Sequence, residues 1–457
     1  MFGVGCSMFT IAMNHNCWPA FLIIAGFLPV ACQQFLPAPI DAATSATDFS
    51  SRSLTDPDLR DYQRKTKRSP SGNTWGVAPT EAAAEYFQPD VAVARAKAAT
   101  ALAAITTADT SPNPSLGFAP ELGQSAGVDS PWVLGFSLDF PIETAGKRQL
   151  RTAQARLAAN SAALAVTDAI RTARSATRAA LLEKESATRR TAILTKQAAD
   201  YETAVSGLRL LMEAGETSRT ELLQTQSLQS RAQLDLADAK RLSETSSAKL
   251  AAAIGVPARA LGAVSFSNGP LGKSPSIPSE SRLRKAAMTQ RPDVLAALQD
   301  YAAADANLRL QIANQYPDLN LSPGYTFDQG QNKWALGLTL TLPIDRNLGP
   351  IKEASAKRSE AAALFNQVQA KASGELDQAL AEVRAARSRI GQMDGILAAR
   401  RKEIGFSEKV AAFGEGDSTG TTLLKIQLRQ DEVSHLDALV LLHQALGQVE
   451  DASGLKL

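Results

Sequence analysis

The feature that most restricts this chain is a strand joined to an overlong helix, written twice. Residues Trp132–Ile142 (WVLGFSLDFPI) alternate between apolar side chains and small or polar ones. After a short turn, Lys147 to Ala214 spans 68 positions with no proline and a single glycine, Gly207. At 1.5 Å per residue such a helix reaches about 100 Å, far beyond a compact domain. About 200 residues later the pattern returns as WALGLTLTLPI from Trp334, with no proline after Pro350.

The repetition is registered. Pro89-Asp90-Val91 recurs as Pro292-Asp293-Val294 at an offset of 203. Trp132, Gly135 and Pro141 recur as Trp334, Gly337 and Pro343 at 202, and Gly215 and Leu222 as Gly416 and Leu423 at 201. A drift of one residue per loop is what a tandem duplication with small indels leaves. The long runs are rich in Ala, Leu, Gln, Glu, Arg and Lys, the better helix formers.

Strict alternation places one set of side chains on each face of a strand. Trp132, Leu134, Phe136, Leu138 and Phe140 share a face opposite Val133, Gly135, Ser137 and Asp139. Trp334, Leu336, Leu338, Leu340 and Leu342 likewise oppose Ala335, Gly337, Thr339 and Thr341. Each strand approaches the 9–11 residues of a tilted bilayer-crossing strand, with lipid outside and water inside. Asp139, Thr339 and Thr341 then line a lumen, where a carboxylate tunes ion selectivity; a plainly solvated face is the alternative. Pro141 is expected to end its strand. Two strands per half make four, too few to close a barrel, so other copies must supply the rest.

The N-terminus points to export. Pro19 to Cys32 has an apolar run of signal-peptide length, which sets residues 1–32 apart as a signal. Cys32, followed by Gln33 and Gln34, is similar to the acylated first residue of a bacterial lipoprotein, although Pro29 stands where leucine is usual. An ordinary cleaved signal with Cys32 incidental is the alternative. Residues 33–79 read as an extended or disordered leader. Repeat 1 follows over 80–255, with Thr80 as the cap of a helix running to about Thr107. A Pro/Gly/Ser-rich connector covers 256–280 and repeat 2 covers 281–457.

Composition excludes several function classes. The formal charge of +2 comes without a basic block, so nucleic acid is not an expected partner. Cys6, Cys17 and Cys32 are the three cysteines, and His435 and His443 stand eight residues apart, too far to chelate one ion. No cofactor or metal site is expected, and no nucleophile–base or paired-carboxylate constellation points to an enzyme. Leu150, Leu157 and Leu164 suggest a seven-residue packing seam. Arg171, Arg174, Arg178, Arg189 and Arg190 suit surface pairs four residues apart rather than a binding site. Gly215 is a helix C-cap, and Ser218 with Glu221 a capping box for the returning helix.

The duplicated order of helix, two strands, long helix, Gly hairpin and returning helix resembles the TolC-type outer-membrane efflux family. The likeness covers about Thr80 to Gly454 and rests on RPDV, YPDLNL, LTLTLPI and the Gly–Ser/Thr hairpins. FPIETAGKRQLR and LPIDRNLGPIKEA are similar to outer-membrane components of heavy-metal (cobalt–zinc–cadmium type) resistance pumps. The resemblance implies a mainly α fold with a small β part: a long α-helical barrel continuous with a membrane β-barrel that trimerisation closes. It implies a passive exit duct for metal ions or drugs in the bacterial outer membrane, with a long periplasmic extension. The partners would be a periplasmic adaptor and an inner-membrane RND pump. The adaptor-docking tips would be Gly215, Glu216, Thr217 and Ser218, and Gly416, Asp417, Ser418 and Thr419. Glu216, Glu415 and Asp417 would ring the mouth and favour cations, while the Ser and Thr residues also suit plain helix capping. A coiled-coil envelope scaffold without a pore is the rival; it accounts for the helices but not for the alternating strands.

Overall fold

A computed structural model describes residues 35–123, 131–266, 276–342, 344–413 and 418–456. The chain divides into two compact units, Met1–Ser51 and Arg52–Leu457. In the first, helix α1 (Ala42–Ser51) is opened by the Asp41 carboxylate, which accepts from Thr44 N at 2.8 Å and Thr44 Oγ1 at 2.6 Å. Cys32 lies outside the described residues.

The second unit begins with a correction. Residues 52–79, expected within an extended or disordered leader, carry α2 (Pro57–Lys65) and the short strand β1 (Thr74–Trp75). Leu54, Leu59 and Trp75 are buried in one cluster with Phe87, Leu181, Ile254 and Leu261. Three large apolar side chains in a polar stretch suffice, because the pocket they fill belongs to repeat 1. Strand β1 pairs in parallel with β4 (Ser265–Phe266), which follows a 3-10 turn (Ala258–Ala263) in the connector.

Repeat 1 continues with α3 (Val77–Phe87) and α4 (Pro89–Asp109). The expected single helix is therefore two. Gln88 is extended at ψ 122°, because a residue before proline is driven out of the α region. Thr80 is not the cap: the helix opens at Gly76, and the Thr80 hydroxyl donates back to Gly76 O at 2.7 Å. Strands β2 (Ser115–Leu122) and β3 (Trp132–Ile142) lead into α5 (Lys147–Glu213), 67 residues without a break, and then α6 (Arg219–Ile254). Repeat 2 gives α7 (Glu280–Thr289), α8 (Pro292–Ala313), β5 (Leu319–Asp328), β6 (Gln331–Leu340), α9 (Leu348–Ala412) and α10 (Ser418–Ser453).

Each long helix is matched by two shorter ones laid end to end. Helix α6 has 36 residues and α4 has 21, against 67 in α5. They meet where Gln88 Nε2 donates to Ala253 O at 3.2 Å. Helix α5 packs against α4 and α6 on one flank and against α8 and α10 on the other; α9 packs against α8 and α10. The wall therefore has a linear order, with α4 and α6 at one edge and α9 at the other.

From Thr152 to Ala187 the packing seam runs along small residues. Thr152, Ala159, Ala173, Ala180, Ala187, Leu194, Tyr201 and Leu208 are buried at multiples of seven along α5. Thr225, Ala232, Ala239 and Ser246 repeat the spacing on α6. Leu150, Leu157 and Leu164, expected as the seam, are only half-buried. Small side chains win the seam because they let long backbones approach closely. A strict seven-residue spacing winds helices left-handedly.

Candidate channel wall and tips

The four main strands form one antiparallel sheet in the order β2-β3-β5-β6. Its register carries the two faces across all four strands. Phe118 lies opposite Phe136, Phe136 opposite Tyr325, and Tyr325 opposite Trp334. Leu116, Leu138, Leu134, Phe327, Leu321 and Leu338 belong to the same face by the same pairing. Phe118 and Phe136 stack with centroids 4.8 Å apart, and Tyr325 and Trp334 at 4.9 Å. Such cross-strand aromatic pairs stabilise a sheet by roughly 0.5–1.5 kcal/mol beyond their burial.

The expected outward residues Trp132, Leu134, Phe136, Leu138 and Phe140 all lie on this face of β3, and Trp334, Leu336, Leu338 and Leu340 on that of β6. Trp334 is 83 % exposed and Leu338 67 %. A continuous apolar sheet face open to the surroundings is not tolerated in water; hydrocarbon is the medium it fits. Two boundaries differ from expectation. β3 runs through Pro141 to Ile142, because Pro141 still pairs with Asn320 although it has no N–H to donate. Leu342 and Thr341 lie beyond the end of β6, and both are exposed.

The opposite face is small and polar. Ser115, Asp139, Ser322 and Gly337 form one row, and Thr339 and Asn320 a neighbouring pair. Asp139 accepts a hydrogen bond from the Ser322 hydroxyl. Nearer the β5–β6 hairpin, Lys333 pairs with Asp328.

Below the sheet, Lys147 at the start of α5 is buried. Its Nζ donates to Tyr316 O at 2.7 Å and Asp318 Oδ1 at 2.8 Å, tying repeat 1 to repeat 2. Thr144 N donates to the same Asp318 oxygen at 2.9 Å.

At the far end of α5, Gly215 takes a left-handed φ of 79°. Glu216 N donates to Leu211 O at 2.8 Å and Gly215 N to Met212 O at 3.0 Å, a complete Schellman motif. Ser218 Oγ accepts from Glu221 N at 3.2 Å, and the Thr217 hydroxyl donates to the Glu221 carboxylate at 2.7 Å. These caps fold the hairpin and leave Glu216 at its apex. On the second hairpin Glu415, Gly416 and Asp417 lie outside the described residues, and Ser418 is exposed. Thr419 needs correcting as a tip residue. It is 6 % exposed and packs on Gly207 of α5, where an added Cβ would stand 2.6 Å from the Thr419 hydroxyl. The lone glycine of the long helix is the space that α10 occupies.

Midway along the wall the arginines do more than pair locally. Arg174 reaches Glu85 at 2.7 Å, Arg178 binds Glu450 and stands 3.6 Å from Glu81, and Arg190 pairs with Asp437. Of these, only Arg189 with Glu185 keeps the expected four-residue spacing, and Arg171 pairs with Asp168 three residues before it. Burial pushes the Glu81 carboxyl above its ordinary range, against the pull of Arg178 and with repulsion from Glu450. Burial also opposes charge on Glu85, but bonds from Tyr62, Arg174 and Arg68 outweigh it and hold that carboxyl low. Sequence reading missed Arg291, whose side chain is 3 % exposed and donates to Asp293, to Glu375 at 2.7 Å and to Ala452 O at 3.2 Å. Its signal was the arginine of the RPDV motif itself. Among the described residues, no group of three or more His, Cys, Asp or Glu is placed to hold a metal ion.

The outer membrane efflux protein family matches residues 83–256 and 283–455, the two repeats without the connector. No curated protein matches the chain in sequence. Among solved structures, the outer membrane protein VceC of Vibrio cholerae superposes with a TM-score of 0.68 at 17 % identity, over 87 % of this chain and 98 % of its own. The outer-membrane channel OprN gives 0.68 at 16 % identity, over 93 % and 98 %. CusC, studied for folding and transmembrane channel formation, gives 0.66 at 16 % identity, over 83 % and 92 %. With both repeats matched and the same channel fold beneath them, the chain belongs to the outer membrane efflux protein family and resides in the outer membrane.

Proposed function

We propose that three copies of this chain close into a passive exit duct for a tripartite efflux system. The observation that carries the reading is that wall and sheet share one linear order with two open edges. Strand β2 and helices α4 and α6 stand at the repeat 1 edge, β6 and α9 at the repeat 2 edge. Four strands are half the smallest filled barrel, and three copies supply twelve. The wall then extends as a periplasmic tunnel, and the chain itself catalyses no reaction.

The hairpin tips, Gly215 to Ser218 and the segment ending at Ser418, dock on a periplasmic adaptor that joins the duct to an inner-membrane RND pump. The cargo is a metal ion or an organic compound supplied by that pump, and FPIETAGKRQLR with LPIDRNLGPIKEA favours metal. Trp132, Trp334 and the leucines and phenylalanines between them and the strand ends face lipid. Asp139, Thr339 and Thr341 face the lumen, and acylated Cys32 anchors the N-terminus.

The internal duplication predicts how copies pair. Within the chain Ser137 of β3 lies opposite Gly324 of β5. Moved by the repeat offsets, that pair becomes Thr339 of β6 opposite Glu121 of the next copy's β2. Combining Thr339→Cys with Glu121→Cys should therefore give disulfide-linked dimers and trimers on mild oxidation of intact membranes. A monomer in mild detergent, with no cross-link, would sink the trimer. Palmitate labelling that survives Cys32→Ser would remove the lipid anchor.

A further inference from the structure

We infer that the lumenal wall around Asp139 is a weak binding station for hard cations. The inference rests on the channel reading above. Four strands bring oxygen-bearing side chains to neighbouring positions there: Ser115, Asp139, Ser322, Asn320 and Thr339. Directly opposed residues stand about 4.5–5.5 Å apart between Cα atoms, within reach of one hydrated ion. Asp139 is already hydrogen-bonded by Ser322, which fixes the carboxylate against the wall. Asn320 Oδ1 is buried without a hydrogen-bond partner, an acceptor left over in the same patch. Orphaned buried acceptors are rare and each needs an explanation, a bound ion being one.

The chemistry selects the ligand class. One carboxylate among neutral hydroxyl and amide oxygens suits calcium-like or alkali cations, which accept oxygen ligands in flexible geometry. A single charge also keeps binding weak, as conduction requires, since an ion must leave as readily as it enters. Lys333, the lysine of this face, is paired with Asp328 at the hairpin end. Glu121 lies at the level of Val133, six residues from Asp139, about 20 Å along the strand. That exceeds the Debye length of about 8 Å at physiological salt, so the two acids of one chain act separately.

The test is conductance of the full-length protein in planar bilayers. Reversal potentials are read in a potassium chloride gradient, and block is read with calcium chloride added on the barrel side. Wild type should prefer K+ over Cl−. Asp139→Asn should lower that preference by roughly fourfold and raise the half-blocking calcium concentration by more than tenfold, the effect of one charge about 5 Å away in water. Asn320→Ala should weaken calcium block while leaving the K+/Cl− ratio in place. Should Asp139→Asn assemble poorly, Asp139→Glu must preserve selectivity and Asn320→Ala still carries the test. Unchanged selectivity and block in Asp139→Asn overturns the station. A wild type that forms no channel instead refutes the duct.

Discussion

The two returning helices, α6 and α10, occupy equivalent places in the two repeats and are held in different ways. Helix α6 lies on α5 along a seam of Thr225, Ala232, Ala239 and Ser246, with Lys249 pairing to Glu183 at 2.6 Å near its upper end. Helix α10 is pinned on both flanks. Arg429 reaches Asp200 of α5 at 3.2 Å, while Asp431 and His435 meet Arg400 and Asp394 of α9 at 3.2 and 2.9 Å. The difference follows from neighbours. α10 has a long helix on each side within the chain, whereas the outer flank of α6 exposes Leu223, Leu228 and Leu234. In the trimer proposed above, that flank would meet another copy, so the duplicated halves differ where their surroundings differ.

The junctions above these helices diverge in the same way. In repeat 2 one buried guanidinium, Arg291, satisfies Ala452 O and two carboxylates. In repeat 1 Gln88 takes the equivalent carbonyl, Ala253 O, and Arg52 donates to Phe87 O at 3.1 Å and Gly255 O at 2.7 Å. The arm before α2 thus supplies the charge that repeat 1 lacks. Arg291→Ala should cost about 3 kcal/mol, because it strands the carboxylates of Asp293 and Glu375. Gln88→Ala should cost only about 1 kcal/mol, the value of one neutral hydrogen bond. Denaturant midpoints of the two variants compare them directly; equal losses would erase the asymmetry.

The sheet should show no such asymmetry on its outer face. Phe136→Arg and Leu338→Arg sit at equivalent positions of β3 and β6 and should each destabilise the membrane-inserted protein by about 2–4 kcal/mol. Thr339→Arg, one residue along, should reduce the yield of heat-modifiable trimer far less than Leu338→Arg. Equal tolerance of both would reverse the assignment of faces. A larger defect for Phe136 than for Leu338 would show that the edge strand is shielded by its neighbour.

What could be read in advance divides along the same line. The strand faces and the duplication were legible because period-two alternation is a local property, carried by Trp132 to Phe140 without reference to any partner. The hairpin at Gly215 was legible because its left-handed residue and Ser cap stand side by side in the chain. The seam was misjudged, since leucines at 150, 157 and 164 advertise burial while close helix contact selects Thr152 and Ala159. Thr419 was misplaced for a related reason: its burial is decided by Gly207, over 200 residues away. Residues 52–79 gave no periodic signal because their elements are too short to display one. Arg174 and Arg178 showed helical spacing, yet their partners Glu85 and Glu450 come from other helices.

The smallest expected effect probes a charge reversal between the repeats. Glu81 on α3 stands where repeat 2 has Arg284 on α7, at the offset of 203. Glu81 faces Arg178 of α5, whereas Arg284 pairs with Asp377 of α9 at 2.7 Å. Polarity is exchanged across the equivalent pair of helices, but only Glu81 is deeply buried. Its raised pKa means that the folded state takes up its proton more readily than the unfolded chain. The corresponding stability is full below the ordinary carboxyl value of 4.5 and is lost as pH rises through the raised value. Glu81→Gln should therefore raise the thermal midpoint at neutral pH, with the gain vanishing in acid. Glu85, one turn on, has the opposite sign: its lowered pKa gives stability above the ordinary carboxylate range that is lost as pH falls through the lowered value. Glu85→Gln should lower the midpoint at neutral pH, and the loss should shrink on acidification. Melting curves of both variants from neutral to acidic pH test the pair. Parallel behaviour would mean that burial alone governs α3, and that Tyr62, Arg68 and Arg174 do not discriminate between its two acids.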